Sequence, residues 1–294
     1  MPEYVLTAPT AEPIDVLEAQ DHMRISNADV EALRMKLCVA QGRSAAEMKT
    51  RQQCLHARFV LVLDRFPQAG YGTPLPFAHI VNIPGYAVRL PRAPAVAVVS
   101  IQFLDMTGAW LTMPPTDYVT NLALQPGIVA PAFGKIWPIT LPQLSAVNIT
   151  YDAGYVSPFI RSGSSSSILV SGPVQWAIGN RVRMSNSGGA LPAPLKPATD
   201  YLIATAPGNG LYTLTDAAGN PITLTDGGTG TSYIGDNRAG RYFGEVPSGM
   251  RGWMLIRAAS LYENREEIAI LNRGHIEELP FMEGLLDEFR VSLP

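Results

Sequence analysis

The chain has 294 residues, of which 47% are apolar, and a formal net charge of −3. The apolar share is that of an ordinary globular protein and excludes wholesale disorder, and the slightly acidic charge argues against a dedicated nucleic-acid binder, which needs an excess of Lys and Arg. Two cysteines are too few for a disulfide framework or a cysteine-based zinc site. With neither a signal peptide nor an apolar run of about 18 residues, we expect a soluble protein made in a reducing cytoplasm and no membrane partner.

Two helices are predicted near the start of the chain. Asp15, with Glu18 three residues later, has the pattern of a helix N-cap, and the short helix that follows should end near Arg24. A second helix should follow Asn27 and run to about residue 48, with Gly42 interrupting or weakening it. Its periodic residues are Val30, Leu33, Leu37, Ala40, Ser44 and Met48.

The pattern then changes to the short, β-branched and aromatic runs that are typical of strands. The dipeptide Thr107-Gly108 predicts a turn between two of them, and the intervening prolines argue against interior helix. The predicted strands are residues 59–63, 88–92, 96–105, 110–112, 118–120, 127–129 and 147–151.

A Ser- and Gly-rich tract at residues 161–167 predicts a flexible joint. From residue 162 to 237 the chain has no Glu, one Lys and twelve of its 26 glycines. Five short strands are predicted there, which indicates a small β barrel or sandwich. They are residues 168–170, 181–184, 201–204, 211–214 and 222–224.

Helix resumes at about Ser248, so the β-rich segment is expected to be an inserted domain. The resumed helix is apolar over a wide arc, which predicts broad burial in its own core or against another chain. A last short amphipathic helix is expected around residues 281–289.

Several short motifs follow one another along the chain: Asp64-Arg65-Phe66-Pro67, Leu90-Pro91-Arg92-Ala93-Pro94, residues 99–105, Asp117-Tyr118, Trp137-Pro138, residues 147–155, Val246-Pro247 and residues 261–266. In this order they resemble the head–tail connector (adaptor) family of long-tailed bacteriophages. Two departures are a long segment between Tyr155 and the final long helix, where the family has a short loop, and the absence of a Thr-Gly-Arg near residues 49–52.

The resemblance implies an α+β fold. We expect a mostly helical adaptor domain with a small antiparallel β-sheet, plus the inserted all-β barrel or sandwich domain. The predicted boundaries are residues 1–161 for the first part of the connector domain, 162–238 for the insert and 239–294 for the second part of the connector domain.

The same resemblance implies a structural virion protein of the head–tail neck, assembled in the host bacterial cytoplasm, and not an enzyme. It implies a ring, most often of twelve copies, that binds the portal protein on one side and a stopper or tail-completion protein on the other. Genomic DNA would pass through the lumen without sequence-specific binding, and no cofactor is expected. A ring also requires two different complementary faces on each chain.

Candidate assembly residues follow from the two C-terminal helices. The core or subunit-interface candidates are Trp253, Ile256, Tyr262, Glu263 and Arg265. The charged pair among these forms either interchain ion pairs or the solvated end of a helix. The resemblance implies that the C-terminal segment reaches toward the portal. The portal-docking candidates are then Phe281, Leu285, Leu286 and Phe289, with folding back onto their own domain as the alternative.

Catalytic and metal patterns are weak. His275 with Glu277 and Glu278 is the nearest approach to a metal cluster, and a solvated segment explains it better. Arg181 and Arg183 form either an anion site or the polar face of a strand. Two alternatives to the connector function are a phage-associated binding protein that uses its insert to attach to host, fibre or capsid, and a wall hydrolase. The second lacks a paired-carboxylate or zinc pattern.

Overall fold

The computed structural model describes residues 3–9, 12–14, 16–25, 32–67, 85–163, 166–171, 176–197, 199–236, 246–263 and 280–291. The chain divides into two compact units. The first contains Met1–Ala8, Ala57–Gly154 and Val291–Pro294, and the second contains Pro9–His56 and Tyr155–Arg290.

The first unit is built from β-strands. Its larger sheet has five strands in the order β1-β2-β8-β4-β5, and its smaller sheet has three in the order β3-β7-β6. Neighbouring strands in both sheets are antiparallel. The strands are β1 (Glu3–Thr7), β2 (Ala57–Leu63), β3 (Val88–Arg89), β4 (Ala95–Leu104), β5 (Trp110–Thr112), β6 (Tyr118–Asn121), β7 (Ile128–Pro131) and β8 (Val147–Ala153).

The central strands form the core of this unit because their alternate side chains are large and apolar. Leu61, Ile101 and Ile149 are completely buried, and Phe59 stacks on Tyr151 with ring centroids 5.7 Å apart. The predicted strands 59–63, 96–105, 110–112 and 147–151 are therefore confirmed within one or two residues, and so is the turn at Thr107-Gly108.

The α-helices of the described residues belong to the second unit. They are α1 (Val16–Met23), α2 (Ala32–Thr50), α3 (Ser248–Glu263) and α4 (Pro280–Asp287). All four contribute to one apolar core, in which Met35, Met254 and Leu286 are buried. The four predicted helices are confirmed, whereas the N-cap residue Asp15 lies outside the described residues.

A closed six-stranded barrel completes the second unit, in the order β10-β13-β12-β11-β14-β9. Its interior is filled by its own apolar side chains, among them Ile168, Met184 and Ile203. The strands are β9 (Ser157–Arg161), β10 (Ile168–Val170), β11 (Arg181–Ser187), β12 (Asp200–Gly208), β13 (Leu211–Thr215) and β14 (Thr231–Asp236).

The expectation of a mostly helical adaptor domain is wrong. More of the described residues lie in strands than in helices, and the molecule has a closed barrel and two further sheets. The reason is that the β-branched and aromatic segments of residues 57–154 form two sheets, whereas the prediction allowed for one small sheet.

Three details of the strands also differ from the predictions. Residues 222–224 lie in a loop beside the isolated bridge between Thr215 and Pro221, so the strand predicted there is absent. The strands β1, β9 and β14 were not predicted. Since β9 begins at Ser157, the barrel starts before the predicted domain boundary at residue 162.

Gly42 lies within a continuous helix and does not interrupt it. A Cβ atom at this position would approach the Met254 carbonyl oxygen of α3 to 3.0 Å and the Ala258 amide nitrogen to 3.6 Å. Glycine therefore serves close packing between two helices, which offsets its low helix propensity of about 1 kcal/mol relative to alanine.

Candidate assembly surfaces

Trp253 and its neighbours on α3 form the centre of the helical core. Trp253 is buried, and the Lys49 ammonium of α2 lies 5.7 Å from the centroid of its ring. Ile256 is half-buried one turn further along. Trp253 thus stabilises its own chain through burial and a cation–π contact, and it presents little surface to a partner.

The C-terminal end of α3 carries the remaining interface candidates. Tyr262 is half-buried, and the Arg34 guanidinium lies over its ring at 4.6 Å from the centroid while donating a hydrogen bond to the Tyr262 carbonyl. Glu263 is exposed at the last residue of the helix, and Arg265 lies outside the described residues. An interface role for these residues stays a prediction.

A buried ion pair joins α1 to α3. The Arg251 guanidinium donates to both carboxylate oxygens of Glu18, at 2.9 and 2.8 Å, and to the Pro13 carbonyl oxygen. Arg251 is 2% exposed, so the Glu18 carboxylate supplies the opposite charge that a buried guanidinium requires.

A second polar network closes the end of α2. Buried Glu47 accepts hydrogen bonds from the Gln53 amide at 2.9 Å, from the Cys54 backbone at 3.0 Å and from Arg43 at 2.8 Å. Arg43 also donates to Glu12 at 2.6 Å. Burial, together with the Glu47 carboxylate, raises the pKa of the Cys54 thiol well above its usual value. The network therefore fixes the chain leaving α2 and keeps this thiol protonated.

The segment of α4 packs on the helical core. Leu286 is completely buried, whereas Leu285 and Phe289 are half-buried and pack against the same cluster. A Cβ atom at Gly249 would lie 2.9 Å from the Phe289 ring, so glycine permits this approach. Leu285, Leu286 and Phe289 thus fold back onto the core of their own chain, which is the alternative to portal docking. The side chain of Phe281 is not described, and portal docking stays a prediction.

The outward face of α2 exposes several large apolar side chains. Leu33, Leu37 and Met48 are 83%, 58% and 73% exposed, whereas the opposite face of the helix packs into the core. Together with exposed Gln41 and Ser44 they occupy an arc of about 80° on a helix of 3.6 residues per turn. The periodic apolar face predicted for this helix is therefore largely its exposed face, which sequence periodicity alone does not distinguish from a core face.

A second apolar surface follows β7 in the first unit. Phe133 and Ile136 are almost fully exposed, and Ile139 and Leu144 are largely exposed. Exposed apolar groups this numerous in one loop are typical of an interaction surface.

This loop lines a cavity of about 570 Å³ together with residues 64–66. Phe66 and Trp137 stack beside it, with ring centroids 4.5 Å apart and an interplanar angle of 3°. The Trp137 indole donates a hydrogen bond to the Tyr86 carbonyl at 2.6 Å. Two of the connector-like motifs, Asp64-Arg65-Phe66-Pro67 and Trp137-Pro138, therefore meet at one place.

The two edge strands of the five-stranded sheet expose apolar side chains as well. Tyr4 and Val5 of β1 are 52% and 51% exposed, and Trp110 and Leu111 of β5 are 50% and 44% exposed. These strands lie at opposite edges of the sheet. No sequence signal had marked β1, because a five-residue strand with both faces exposed shows no clear alternation.

The other charged or metal-like groups do not assemble into a site. Arg181 and Arg183 both pair with the Asp200 carboxylate across β11 and β12, which favours the polar strand face over an anion site. Within the described ranges no group of three His, Cys, Asp or Glu side chains is placed to hold a metal, and the segment with His275 lies outside them. The helices among those residues include none long and apolar enough to cross a membrane.

The complete chain is similar in fold to chains from particles of a gene transfer agent (GTA). A chain from the neck of an empty GTA particle computed with C6 symmetry covers 100% of this chain and 97% of its own length, with a TM-score of 0.53 and 15% identity. A chain from the virion of the native GTA particle has a TM-score of 0.53 and 14% identity, with the same coverage.

A chain from the neck of the native GTA particle, computed with C12 symmetry, has a TM-score of 0.52 and 14% identity, again with 100% and 97% coverage. The sequence matches no family model and no curated protein. At such low identity the likeness shows the fold, which over its whole length is that of chains found in the neck and virion of GTA particles.

Proposed function

We propose that this protein is a structural component of a phage-like neck, where copies of it assemble into a ring. The observation that carries the proposal is the match over the whole chain to proteins from GTA necks, two of them computed with cyclic symmetry. The exposed apolar surfaces on α2, on the loop after β7 and at the two sheet edges support it, because a monomer rarely leaves so many apolar groups in water.

The finer form of this proposal is a head-to-tail adaptor. The ring would sit beneath the portal protein, extend the DNA channel and offer a docking surface to the stopper or tail-completion protein. The net charge of −3 per chain supports a lumen that repels DNA more than it binds it. Twelve copies fit the resemblance to the connector family and the C12 symmetry of one structural neighbour.

Electron microscopy of the full-length protein mixed with the portal protein of the same particle tests this function. We expect an added ring of density coaxial with the portal, whose symmetry gives the copy number. A mixture in which an intact portal binds other neck proteins but never this chain would contradict the adaptor role.

A second function, attachment through the barrel, is favoured by the way the barrel is inserted. Its first and last strands, β9 and β14, are paired neighbours, with Phe159 opposite Ser232 and Ser157 opposite Ile234. The chain thus enters and leaves at one place, and the barrel has a complete core of its own. A module of this kind can be added to a neck protein to bind a host, fibre or capsid surface.

Replacement of residues 157–236 by a short Gly-Ser linker separates the two functions. If the barrel serves attachment, the shortened protein still joins the portal while the particles lose binding to the relevant surface. If the barrel serves assembly, the shortened protein fails to join the portal, although circular dichroism shows that its helices remain folded.

A further inference from the structure

The five-stranded sheet of the first unit has two open edges, and both carry exposed apolar side chains. Among the described residues, β1 and β5 each have a single neighbour in this sheet, so each has an outer row of backbone N–H and C=O groups that no strand covers. Such a row is a template for a strand of another chain. Lysine and proline are two residues with which natural monomers protect open edges, and neither Glu3–Thr7 nor the three-residue strand Trp110–Thr112 contains either of them.

The strand β1 is held firmly on its own sheet. The Glu3 carboxylate accepts hydrogen bonds from Arg92 at 2.7 Å and from the Tyr151 hydroxyl at 3.1 Å. The backbone of residues 3–5 pairs regularly with β2, and an irregularity follows between Val5 and Thr7. The outer edge at Tyr4 and Val5 is therefore fixed in position, with side chains on both faces of the strand half exposed.

The strand β5 at the opposite edge is held in a similar way. It belongs to a hairpin with β4, in which Leu104 lies opposite Trp110 and Gln102 opposite Thr112. The hairpin turn is stabilised by the Asp105 carboxylate, which accepts hydrogen bonds from the Thr107 and Ala109 backbone amides at 2.8 and 2.9 Å. All three residues of β5 are exposed, so both faces of this strand are accessible in the part of the chain that the structure describes.

We infer that β1 of one copy pairs with β5 of the next copy, so that the five-stranded sheets of a ring join edge to edge. This inference rests on the proposed ring. A cyclic assembly needs two different, complementary faces on each chain, and two open edges on opposite sides of one sheet supply them. The occupant is a second copy because the pairing satisfies both edges at once, and repeating it around a closed ring leaves no open edge.

The pairing also covers the apolar groups at both edges. Cross-strand pairs between large apolar side chains stabilise a sheet. Trp110 and Leu111 of one copy and Tyr4 and Val5 of the next supply such pairs. No charged side chain stands at these four positions, so these pairs carry no like-charge repulsion.

Cysteine cross-linking in the full-length protein tests the inference. The variant that combines Val5→Cys with Leu111→Cys is mixed with the portal protein, treated with a short bis-maleimide and resolved on a denaturing gel. We expect a ladder of covalent oligomers that reaches the copy number of the ring. Both native cysteines, Cys38 and Cys54, are buried and burial raises the pKa of each thiol, so they contribute little background.

Two controls make the result specific. The single variants Val5→Cys and Leu111→Cys should give no oligomer. In each of them the introduced thiol lies opposite an edge strand of the next copy that has no cysteine. The matched pair Ile160→Cys with Ile178→Cys places two exposed thiols on the barrel and should give no ladder.

Each other outcome overturns the inference. Dimers from Val5→Cys alone would show a two-fold contact between like edges. Rings seen by electron microscopy in the same sample without a ladder would exclude edge pairing and leave the proposed function standing. The absence of both rings and ladder, with an intact portal, would contradict the pairing and the proposed function together.

Discussion

In the helical unit, meaning helices α1–α4 of the second unit, buried charges are paired. The pair between Arg251 and Glu18 shows what this does for stability. Both groups lose hydration on folding, and their two short hydrogen bonds replace it. The pair fixes α1 against α3, two elements more than 200 residues apart in the chain. Its contribution is therefore seen most clearly when one partner is removed and the other stays buried.

We predict that Arg251→Ala lowers the free energy of unfolding of the helical unit by about 3–5 kcal/mol, because Glu18 and the Pro13 carbonyl then lose their partner in a buried place. Chemical denaturation followed by helical circular dichroism measures the change. Arg290→Ala, which removes an exposed ion pair with Asp287, is the matched control and should change stability by less than about 1 kcal/mol. Equal effects of the two changes would refute the role given to Arg251.

A pH-dependent contribution is expected from Asp105 in the turn between β4 and β5. Hydrogen bonds from the Thr107 hydroxyl and from the turn amides hold the pKa of its carboxyl below the usual value. A lowered folded-state pKa means that the stabilisation is present above the unfolded-state pKa, about 3.9, and is lost as pH falls through the lower folded-state value.

The wild-type protein should therefore lose more thermal stability between pH 5 and pH 2 than Asp105→Asn does. At neutral pH the variant should be the less stable of the two. Thr107→Val, which removes the hydroxyl hydrogen bond, should fall between them. Thermal unfolding followed over this pH range checks the order, and parallel curves for wild type and Asp105→Asn would contradict it.

Helix packing in the second unit depends on glycines at close contacts. Gly42 of α2 faces the backbone of α3, whereas Gly252 of α3 has no heavy atom within 4 Å of the place a Cβ would take. Glycine thus has different effects on stability at the two positions. Gly42 permits close contact between the two helices, whereas Gly252 only lowers helix propensity.

Gly42→Leu should lower the thermal unfolding midpoint of the helical unit, since a larger side chain forces α2 and α3 apart and overpacking costs about 1–3 kcal/mol. Gly252→Ala should raise stability by up to about 1 kcal/mol. Calorimetry of both variants provides the comparison. A neutral Gly42→Leu would mean that the two helices are not in close contact.

At the scale of the whole molecule, the fold of a single chain does not explain why these apolar surfaces are exposed. The stripe Leu33, Leu37 and Met48 is on the far side of α2 from the core, so changing it should leave the fold intact. Under the proposed function, this stripe takes part in assembly.

Leu37→Lys is therefore expected to keep the thermal stability of the monomer within about 0.5 kcal/mol, as surface changes usually do. It should also reduce joining to the portal-bound ring by about tenfold or more, the effect of about 1.4 kcal/mol lost at each interface. Co-sedimentation with portal particles measures the second effect. Lys36→Ala on a neighbouring exposed position is the control, and equal binding of the two variants would remove α2 from the assembly surfaces.

Much of the secondary structure could be predicted from local sequence patterns. The strand 110–112 and the helix beginning at Ser248 are present at those positions because alternation and helical spacing are properties of consecutive residues. The likeness to connector proteins also came from short motifs, and two of these meet at the stack of Phe66 on Trp137.

The sequence by itself determined the four helices and most of the strands, and it indicated a β-rich segment ahead of the helix that begins at Ser248. Only the tertiary structure decided which apolar face of α2 is core, why Gly42 is tolerated, and that β9 and β14 close a barrel. The physical reason is that sequence periodicity shows which residues share an apolar face of a helix or strand, but not whether that face is buried or exposed. Burial, close backbone contact and strand pairing depend on residues far away in the chain.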